Sequence, residues 1–147
     1  MTRLAEIVAE LLLFAQITTG YAPAVARPDV VFVSQAELQR QACRNPCKIF
    51  GWYPNGSTVY LDKRLDPFAN LQARGILLHE LVHYLQHENG AYKDGSACMN
   101  WARREREAYK VQAAWLQRNN VAASAFSGTR PPWSRICRDT SADNAPG

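Results

Sequence analysis

Two histidines and a glutamate stand together in the segment His79-Glu80-Leu81-Val82-His83. Residues four apart on a helix lie on one face, so both imidazoles can reach a single metal ion. The glutamate beside the first histidine lies close to such an ion and can take a proton from a water that the metal has acidified. The segment therefore predicts a zinc-binding helix of the metallohydrolase type, with His79 and His83 as ligands and Glu80 as general base.

The residues around the motif agree with a helix that has two different faces. At about 100° per residue, one side collects only apolar side chains, namely Leu78, Leu81, Val82 and Leu85. The motif residues lie on the other side, so the helix is predicted to pack its back into a core and to present its front to a cleft. His87 continues the spacing by one more turn, too far to share the ion, and is predicted to lie at the cleft rim.

A catalytic zinc site takes one more protein ligand and keeps one position open. The downstream candidates are Glu88, Asp94, Cys98, Glu105 and Glu107. In the last predicted helix Glu105 falls within a largely apolar face, whereas Glu107 falls opposite it. A carboxylate in a buried face is costly unless it is paired or bound to a metal, which predicts Glu105 as the ligand and Glu107 in solvent. The alternative is that Glu105 pairs with a core arginine.

The two helical motifs together resemble the gluzincin group of zinc peptidases. The segment Glu105-Arg106-Glu107-Ala108-Tyr109 is similar to the glutamate-helix signature of its small members, in which the first glutamate is the ligand. Tyr109 stands where those members carry an Asp, an Asn or another polar residue. Over residues 28–118 the chain also resembles small uncharacterised metallopeptidase-like proteins of bacteria and their phages. The resemblance implies hydrolysis of a peptide bond with one zinc ion as cofactor and a peptide or protein as substrate.

The resemblance further implies a small sheet over the active helix, with an edge strand that holds an extended peptide. The candidate strand is Thr58, Val59, Tyr60 and Leu61, although these residues are equally compatible with being simply the second strand of a hairpin. A phenol near the metal could also stabilise the oxyanion of the transition state. Three tyrosines are candidates, and the sequence does not rank them: Tyr84, Tyr92 and Tyr109.

The elements that must position these residues predict an α+β fold formed by residues 1–147, and the resemblance implies that it is a minimal zincin-like domain. Apolar residues at helical spacing predict a packed amphipathic helix over 3–18, with a secretory signal as the alternative. A strand over 30–33 and a helix over 34–43 follow, then a hairpin over 49–61. Asp66-Pro67 is predicted to start the active helix, which ends at Glu88 and has a break near Gly75. A last helix over 97–119 precedes an irregular tail from about 121.

Composition leaves partners and compartment open. The net charge of +4 is mild and the charges are interspersed, so nucleic acid is an unexpected partner. No run of about 20 apolar residues predicts a membrane span. Four cysteines allow three disulfide connectivities, among which the spacing favours a local bridge between Cys43 and Cys47. Reduced thiols and a second, structural zinc are the alternatives. A cytoplasmic location is favoured, with the periplasm or secretion as alternatives.

These patterns predict a zinc-dependent metallopeptidase. A hypothesis of another class is a zinc-stabilised regulatory or interaction module, perhaps one that binds nucleic acid, in which the site has lost its activity. The intact Glu80 argues against that hypothesis, because a structural zinc site has no use for a general base. A hydrolase acting on a non-peptide amide is a third reading, since the motif itself says little about the bond that is cleaved.

Overall fold

This computed structural model describes residues 2–43, 47–122 and 137. These residues contain four helices and three short strands. In chain order they are α1 (Arg3–Thr19), β1 (Asp29–Val33), α2 (Gln35–Ala42), β2 (Gly51–Trp52), β3 (Thr58–Asp62), α3 (Leu71–Glu88) and α4 (Ala97–Arg118). The predicted α+β class is confirmed, and the predicted first, second and last helices match α1, α2 and α4 to within about one residue at each end.

The three strands form one mixed sheet with β3 at its centre. β3 pairs in parallel with β1 and antiparallel with β2, which confirms the hairpin predicted over 49–61. The prediction that Thr58, Val59, Tyr60 and Leu61 form an exposed edge is wrong, because β3 already has a hydrogen-bonded neighbour on each side. Within the described residues, β2 is instead an edge strand of the sheet.

Every helix begins at a side chain that accepts a hydrogen bond from the backbone of the first turn, as Thr2, Ser34, Asn70 and Ser96 do. The predicted start of α3 at Asp66-Pro67 is wrong. Asp66 caps a separate turn, where its Oδ1 accepts from the N–H of Phe68 at 3.0 Å. Asn70 caps α3 itself and accepts from the N–H of Ala73 at 2.9 Å.

The two helices of the predicted site, α3 and α4, pack tightly against each other at Gly75. A Cβ at this position would lie 3.2 Å from Cδ2 of Leu116 and 3.6 Å from Cγ of Gln112. The predicted break at Gly75 is wrong, since α3 continues through it without interruption. Glycine here allows a close approach of two helices rather than a kink.

The back of α3 forms the centre of the core, as the helical wheel predicted. Its apolar residues are fully buried and pack against α1, which buries its own apolar stripe of Ile7, Val8, Leu11, Leu12 and Ala15. The prediction of a packed amphipathic first helix is therefore confirmed. No helix within the described residues has both the length and the apolar character needed to cross a membrane.

The four cysteines form two disulfides, Cys43–Cys47 and Cys98–Cys137, with Cα atoms 6.1 and 5.5 Å apart. The predicted local bridge is confirmed, and the alternatives of reduced thiols and a thiolate zinc site do not hold. The second bridge ties the first turn of α4 to a residue 39 positions later. The rest of the predicted tail, beyond residue 122, lies outside the described residues.

A buried carboxylate, Asp62, holds the end of β3 to its surroundings. Its side chain is 1% exposed and accepts hydrogen bonds from the guanidinium of Arg64 at 2.7 and 3.0 Å and from Nε2 of Gln35 at 2.7 Å. The same Nε2 donates to the carbonyl of Ile49 at 2.6 Å. Asp62 thus fixes the first turn of α2 and the chain that leads into β2.

We expect Asp62→Asn to lower the free energy of unfolding at neutral pH by about 1–3 kcal/mol, because its amide cannot accept from the same set of donors. Urea denaturation measures the change. The control is Asp94→Asn, which removes a carboxylate whose side chain is 86% exposed and should cost less than about 0.5 kcal/mol.

The effect of Asp62→Asn on the free energy of unfolding should depend on pH. Hydrogen bonds from Arg64 outweigh burial and hold the pKa of Asp62 well below its usual range. The stabilisation is therefore complete above the ordinary aspartate pKa of about 4 and is lost as the pH falls through the lowered native value. The stability gap between wild type and variant should narrow in acid. A gap that stays constant down to about pH 2 would contradict this assignment.

Candidate metal centre

The histidines of the motif point their Nε2 atoms at the same point in space. His79 and His83 are one turn apart on α3, and their Nε2 atoms are 3.2 Å from each other. Both side chains are largely buried, with 10% and 14% exposed. The helix therefore orients both rings toward one point, as the spacing predicted.

Glu105 reaches this point from α4. Its Oε2 lies 3.2 Å from Nε2 of His79, and its Oε1 lies 2.7 Å from Nε2 of His83. Two imidazole nitrogens and one carboxylate form the donor set of many catalytic zinc sites, and donors about 2.0–2.2 Å from one ion lie roughly 3 Å from each other. The three side chains form a candidate metal site that fits zinc. Within the described residues, the alternative ion pair between Glu105 and a core arginine is not found.

The electrostatics of the cluster indicate a place for a cation. Burial disfavours the protonated form of His83, but the hydrogen bond and the charge of Glu105 outweigh it and raise its pKa to about 9. Burial likewise opposes ionisation of Glu105, yet its contacts with His79 and His83 hold its pKa well below the usual range. In the absence of an ion, a proton provides the positive charge between these groups, and a metal would replace it.

Glu80 lies beside the cluster and has a different environment. It is 7% exposed, and its Oε2 is buried with no hydrogen-bond partner among the described residues. Burial raises its pKa. One ligand atom each from His79, Glu80 and His83 lies within 4.8 Å of the others, but Glu105 approaches both histidines more closely. Glu80 therefore places a carboxylate with one buried, unpartnered oxygen next to the candidate ligands.

The edge strand β2 passes directly over Glu80. A Cβ at Gly51 would lie 3.0 Å from Cγ of Glu80 and 3.4 Å from Cγ2 of Ile76. Any larger residue in this position would displace the buried carboxylate or the strand. The sheet and the motif helix therefore meet where β2 crosses Glu80.

Two buried glutamines hold the outer nitrogens of the histidine rings. Nδ1 of His79 lies 3.0 Å from Oε1 of Gln112 on α4, and Nδ1 of His83 lies 2.8 Å from Oε1 of Gln86 on α3. The two glutamines are 3% and 0% exposed. Since each amide oxygen can only accept, each Nδ1 carries a proton, which leaves each Nε2 as the nitrogen that can bind a metal once the ion replaces the proton between the histidines and Glu105.

The orientation of Gln86 is itself fixed by Glu107. Nε2 of Gln86 donates to Oε1 of Glu107 at 3.1 Å and to the carbonyl of Arg104 at 3.0 Å. Both partners are acceptors, so the amide nitrogen must face them and the amide oxygen must face His83. Glu107 also accepts from the hydroxyls of Tyr21 and Tyr92, at 2.5 and 2.9 Å. The prediction that Glu107 lies in solvent is wrong, because the segment that follows α1, helix α3 and the α3–α4 loop bring these donors to it.

Sequence reasoning missed both glutamines and the role of Glu107. Gln112 stands in the otherwise apolar stripe of α4, two turns after Glu105, and a polar residue in a buried stripe is the signal that points to a partner. Gln86 stands three positions after His83 on the motif helix. Nothing in the sequence marks Glu107, whose partners come from distant segments.

The three candidate tyrosines differ in whether they line the cleft. Tyr109 lines the cleft, and its ring packs edge-on against His79 with centroids 4.5 Å apart. Tyr84 donates its hydroxyl to the carbonyl of Ala26 at 2.6 Å, and Tyr92 donates to Glu107. Of the three, only Tyr109 is among the described residues that line the cleft. His87 also lines it and is exposed, which confirms the predicted rim position.

The cluster opens into a cleft of about 470 Å³ between the sheet and α4. One side is formed by the edge-strand region, including Ile49, Gly51, Trp52 and Tyr53, and the other by Ala91, Lys93, Trp101, Arg104 and Tyr109. The candidate metal ligands therefore lie where a small molecule or an extended chain has access.

A known domain family covers most of this architecture. Its model, described as a domain of unknown function, DUF6647, matches residues 2–130. The chain belongs to the DUF6647 family. It matches no curated protein and no solved structure. The family assigns no activity, so the chemistry of the DUF6647 domain has to be argued from the site.

We expect Gln112→Leu to weaken metal binding by about 10–100-fold, because it removes the acceptor that orients His79. Competition with a chromogenic chelator measures the affinity for zinc. Gln117→Leu is the matched control, since Gln117 is exposed on the same helix of this DUF6647 domain. Equal zinc affinity in Gln112→Leu and wild type would contradict the role given to Gln112.

Proposed function

We propose that this DUF6647 protein is a zinc-dependent metallopeptidase of the gluzincin type, which hydrolyses peptide bonds. The observation that carries the proposal is the buried, unpartnered Oε2 of Glu80 next to a three-ligand cluster in an open cleft. A buried carboxylate oxygen without a hydrogen-bond partner lowers the free energy of unfolding. A role as general base would explain why the fold keeps it, because a general base must be able to accept a proton.

The chemistry of the donors supports zinc as the metal. His79, His83 and Glu105 supply two neutral nitrogens and one carboxylate and leave the cleft side open, as catalytic zinc sites do. When bound, zinc would polarise the scissile carbonyl and lower the pKa of a coordinated water to roughly 7. Gln86 and Gln112 keep the two rings in the tautomer that this role needs.

Glu80 would move the proton in the reaction. Its carboxylate would take a proton from the attacking water, while the water oxygen bonds to the carbonyl carbon and the carbonyl π electrons move to the oxygen. The same carboxyl then gives that proton to the amine nitrogen as the C–N bond breaks, which leaves a carboxylate and a free amine. Burial raises the pKa of Glu80, which favours holding the proton between the two steps. Tyr109 is the phenol that could reach the oxyanion, because it lies in the cleft against His79.

The position of β2 supports an extended peptide as substrate. An edge strand can bind a peptide through backbone hydrogen bonds, and β2 crosses Glu80 at Gly51. A peptide added beside β2 would therefore run past the general base. This strand takes the place that the sequence analysis gave to Thr58–Leu61, which lies one strand further from the edge.

The open cleft disfavours the alternative of a zinc-stabilised interaction module. Structural zinc sites are closed by four protein ligands, whereas three side chains converge here and the nearby Glu80 keeps an unpartnered oxygen. No observation within the described residues favours nucleic acid as a ligand of this cleft.

Comparison of the variants Glu80→Gln and Glu105→Gln distinguishes the general base from the metal ligand. Glu80→Gln should keep zinc and lose hydrolysis of a peptide library by about 10²–10⁴-fold. Glu105→Gln should lose zinc itself, because an amide is a much weaker ligand. Metal content by mass spectrometry and turnover of the library measure the two effects.

Glu88→Gln is the control, since Glu88 is exposed on the same helix. Full hydrolysis by Glu80→Gln would refute the mechanism. If Glu105→Gln retained zinc and Glu80→Gln lost it, Glu80 would be the metal ligand and Glu105 the general base.

The two disulfides support an oxidising compartment, such as the periplasm or the cell exterior, rather than the cytoplasm that the sequence analysis favoured. Alkylation of the protein purified without reductant tests this. We expect no thiol to react until a reductant is added. Four reactive thiols in the untreated protein would favour the cytoplasm.

A further inference from the structure

The cleft has an excess of positive charge once the metal site is filled. Among the described residues that line it, the carboxylates are Glu80 and Glu105, and both belong to the candidate metal centre. Two negative charges there offset the two positive charges of a divalent ion. The fixed cations Lys93 and Arg104 line the same cleft and have no acid of their own among these residues.

Arg104 is held in place on the α4 side of the cleft. Its carbonyl accepts from Nε2 of Gln86 at 3.0 Å, and its Nη1 donates to the carbonyl of Tyr92 at 3.3 Å. Tyr92 has a left-handed backbone with φ 55°, which is costly for a bulky residue, and its hydroxyl is fixed on Glu107 at 2.9 Å. The loop is thus constrained so that its carbonyl meets Arg104.

The guanidinium of Arg104 keeps most of its hydrogen-bonding capacity. It carries five N–H donors, and the contact with Tyr92 uses one of them, the only hydrogen bond of this guanidinium within the described part of the chain. It is half-buried and lines the cleft. A planar donor group of this kind binds a carboxylate through two parallel hydrogen bonds. Lys93 is exposed at the rim, where it adds attraction at longer range.

We propose that Arg104, assisted by Lys93, forms a carboxylate-binding subsite, so that the substrates are peptides carrying an acidic group near the scissile bond. The inference rests on the proposed function and names its substrate class. The carboxylate comes from an Asp or Glu side chain or from the free C-terminus of the peptide, and Arg104 recognises the same chemistry in both.

Dipeptides acylated at the amino end with a hydroxamate-bearing group test the subsite without requiring turnover, because the hydroxamate itself ligates the metal. The set consists of four compounds that differ only in Glu against Gln and in a free against an amidated C-terminus. Calorimetry gives their affinities for the zinc-loaded full chain. We expect at least one carboxylate-bearing compound to bind about 10–100-fold more tightly than the Gln compound with an amidated C-terminus. Comparison of the four affinities shows whether the Glu side chain or the C-terminal carboxylate is recognised.

Arg104→Gln should reduce this preference about tenfold or more, and added salt should reduce it further. Arg106→Gln is the matched control, since it removes the same charge from an exposed position of α4 and should leave the preference intact. Circular dichroism and zinc content confirm that each variant is folded and loaded.

Each outcome decides between the two proposals. Equal binding of all four compounds, or a preference that persists in Arg104→Gln, overturns the carboxylate subsite and leaves the metallopeptidase proposal standing. Binding of none of the hydroxamates by zinc-loaded protein overturns the proposed function, and the subsite with it.

Discussion

The contact of one carboxylate with two imidazoles is the interaction on which the rest of the structure depends. Glu105 meets His79 and His83 at 3.2 and 2.7 Å, and it comes from a different helix. Such short distances require α3 and α4 to be in close contact along their lengths. The glycine at position 75 makes that possible, because a side chain there would collide with Leu116 on α4.

Several features that look unrelated serve this contact. The fully buried back of α3 fixes the helix against α1, which leaves its polar face toward the cleft. Gln112 and Gln86 set the rotation and tautomer of the two rings. The Cys98–Cys137 bridge anchors the start of the helix that carries Glu105. A shift of about 1 Å between the two helices would separate the three donors of the candidate metal site, so this site depends on rigid packing of α3 against α4.

The cleft combines a candidate metal site with two cations, Lys93 and Arg104, in its lining. Glu107 links these two parts, since it orients Gln86 behind His83 and also fixes Tyr92, whose carbonyl holds Arg104. The residues that would activate water and those that would select the substrate therefore share one hydrogen-bond network. A substitution at Glu107 would disturb both, whereas Arg104 can be changed without touching a metal ligand.

The sequence by itself determined what depends on local spacing. The pairing of His79 with His83, the buried back of α3 and the place of Glu105 in the stripe of α4 all follow from the period of a helix, which the chain cannot escape once the helix forms. The local Cys43–Cys47 bridge and the hairpin followed from short spacing along the chain rather than from the helical period. These elements were predictable because their partners are near in sequence.

Only the tertiary structure decided what depends on segments distant in the chain. It placed β3 at the centre of the sheet and β2 at its edge, which no local pattern encodes, because strand order is set by a crossover between β1 and β3. It brought Tyr21 from 86 positions away to Glu107, a residue that the helical wheel had assigned to solvent. A wheel reports which face of a helix a residue occupies, but the fold decides what covers that face.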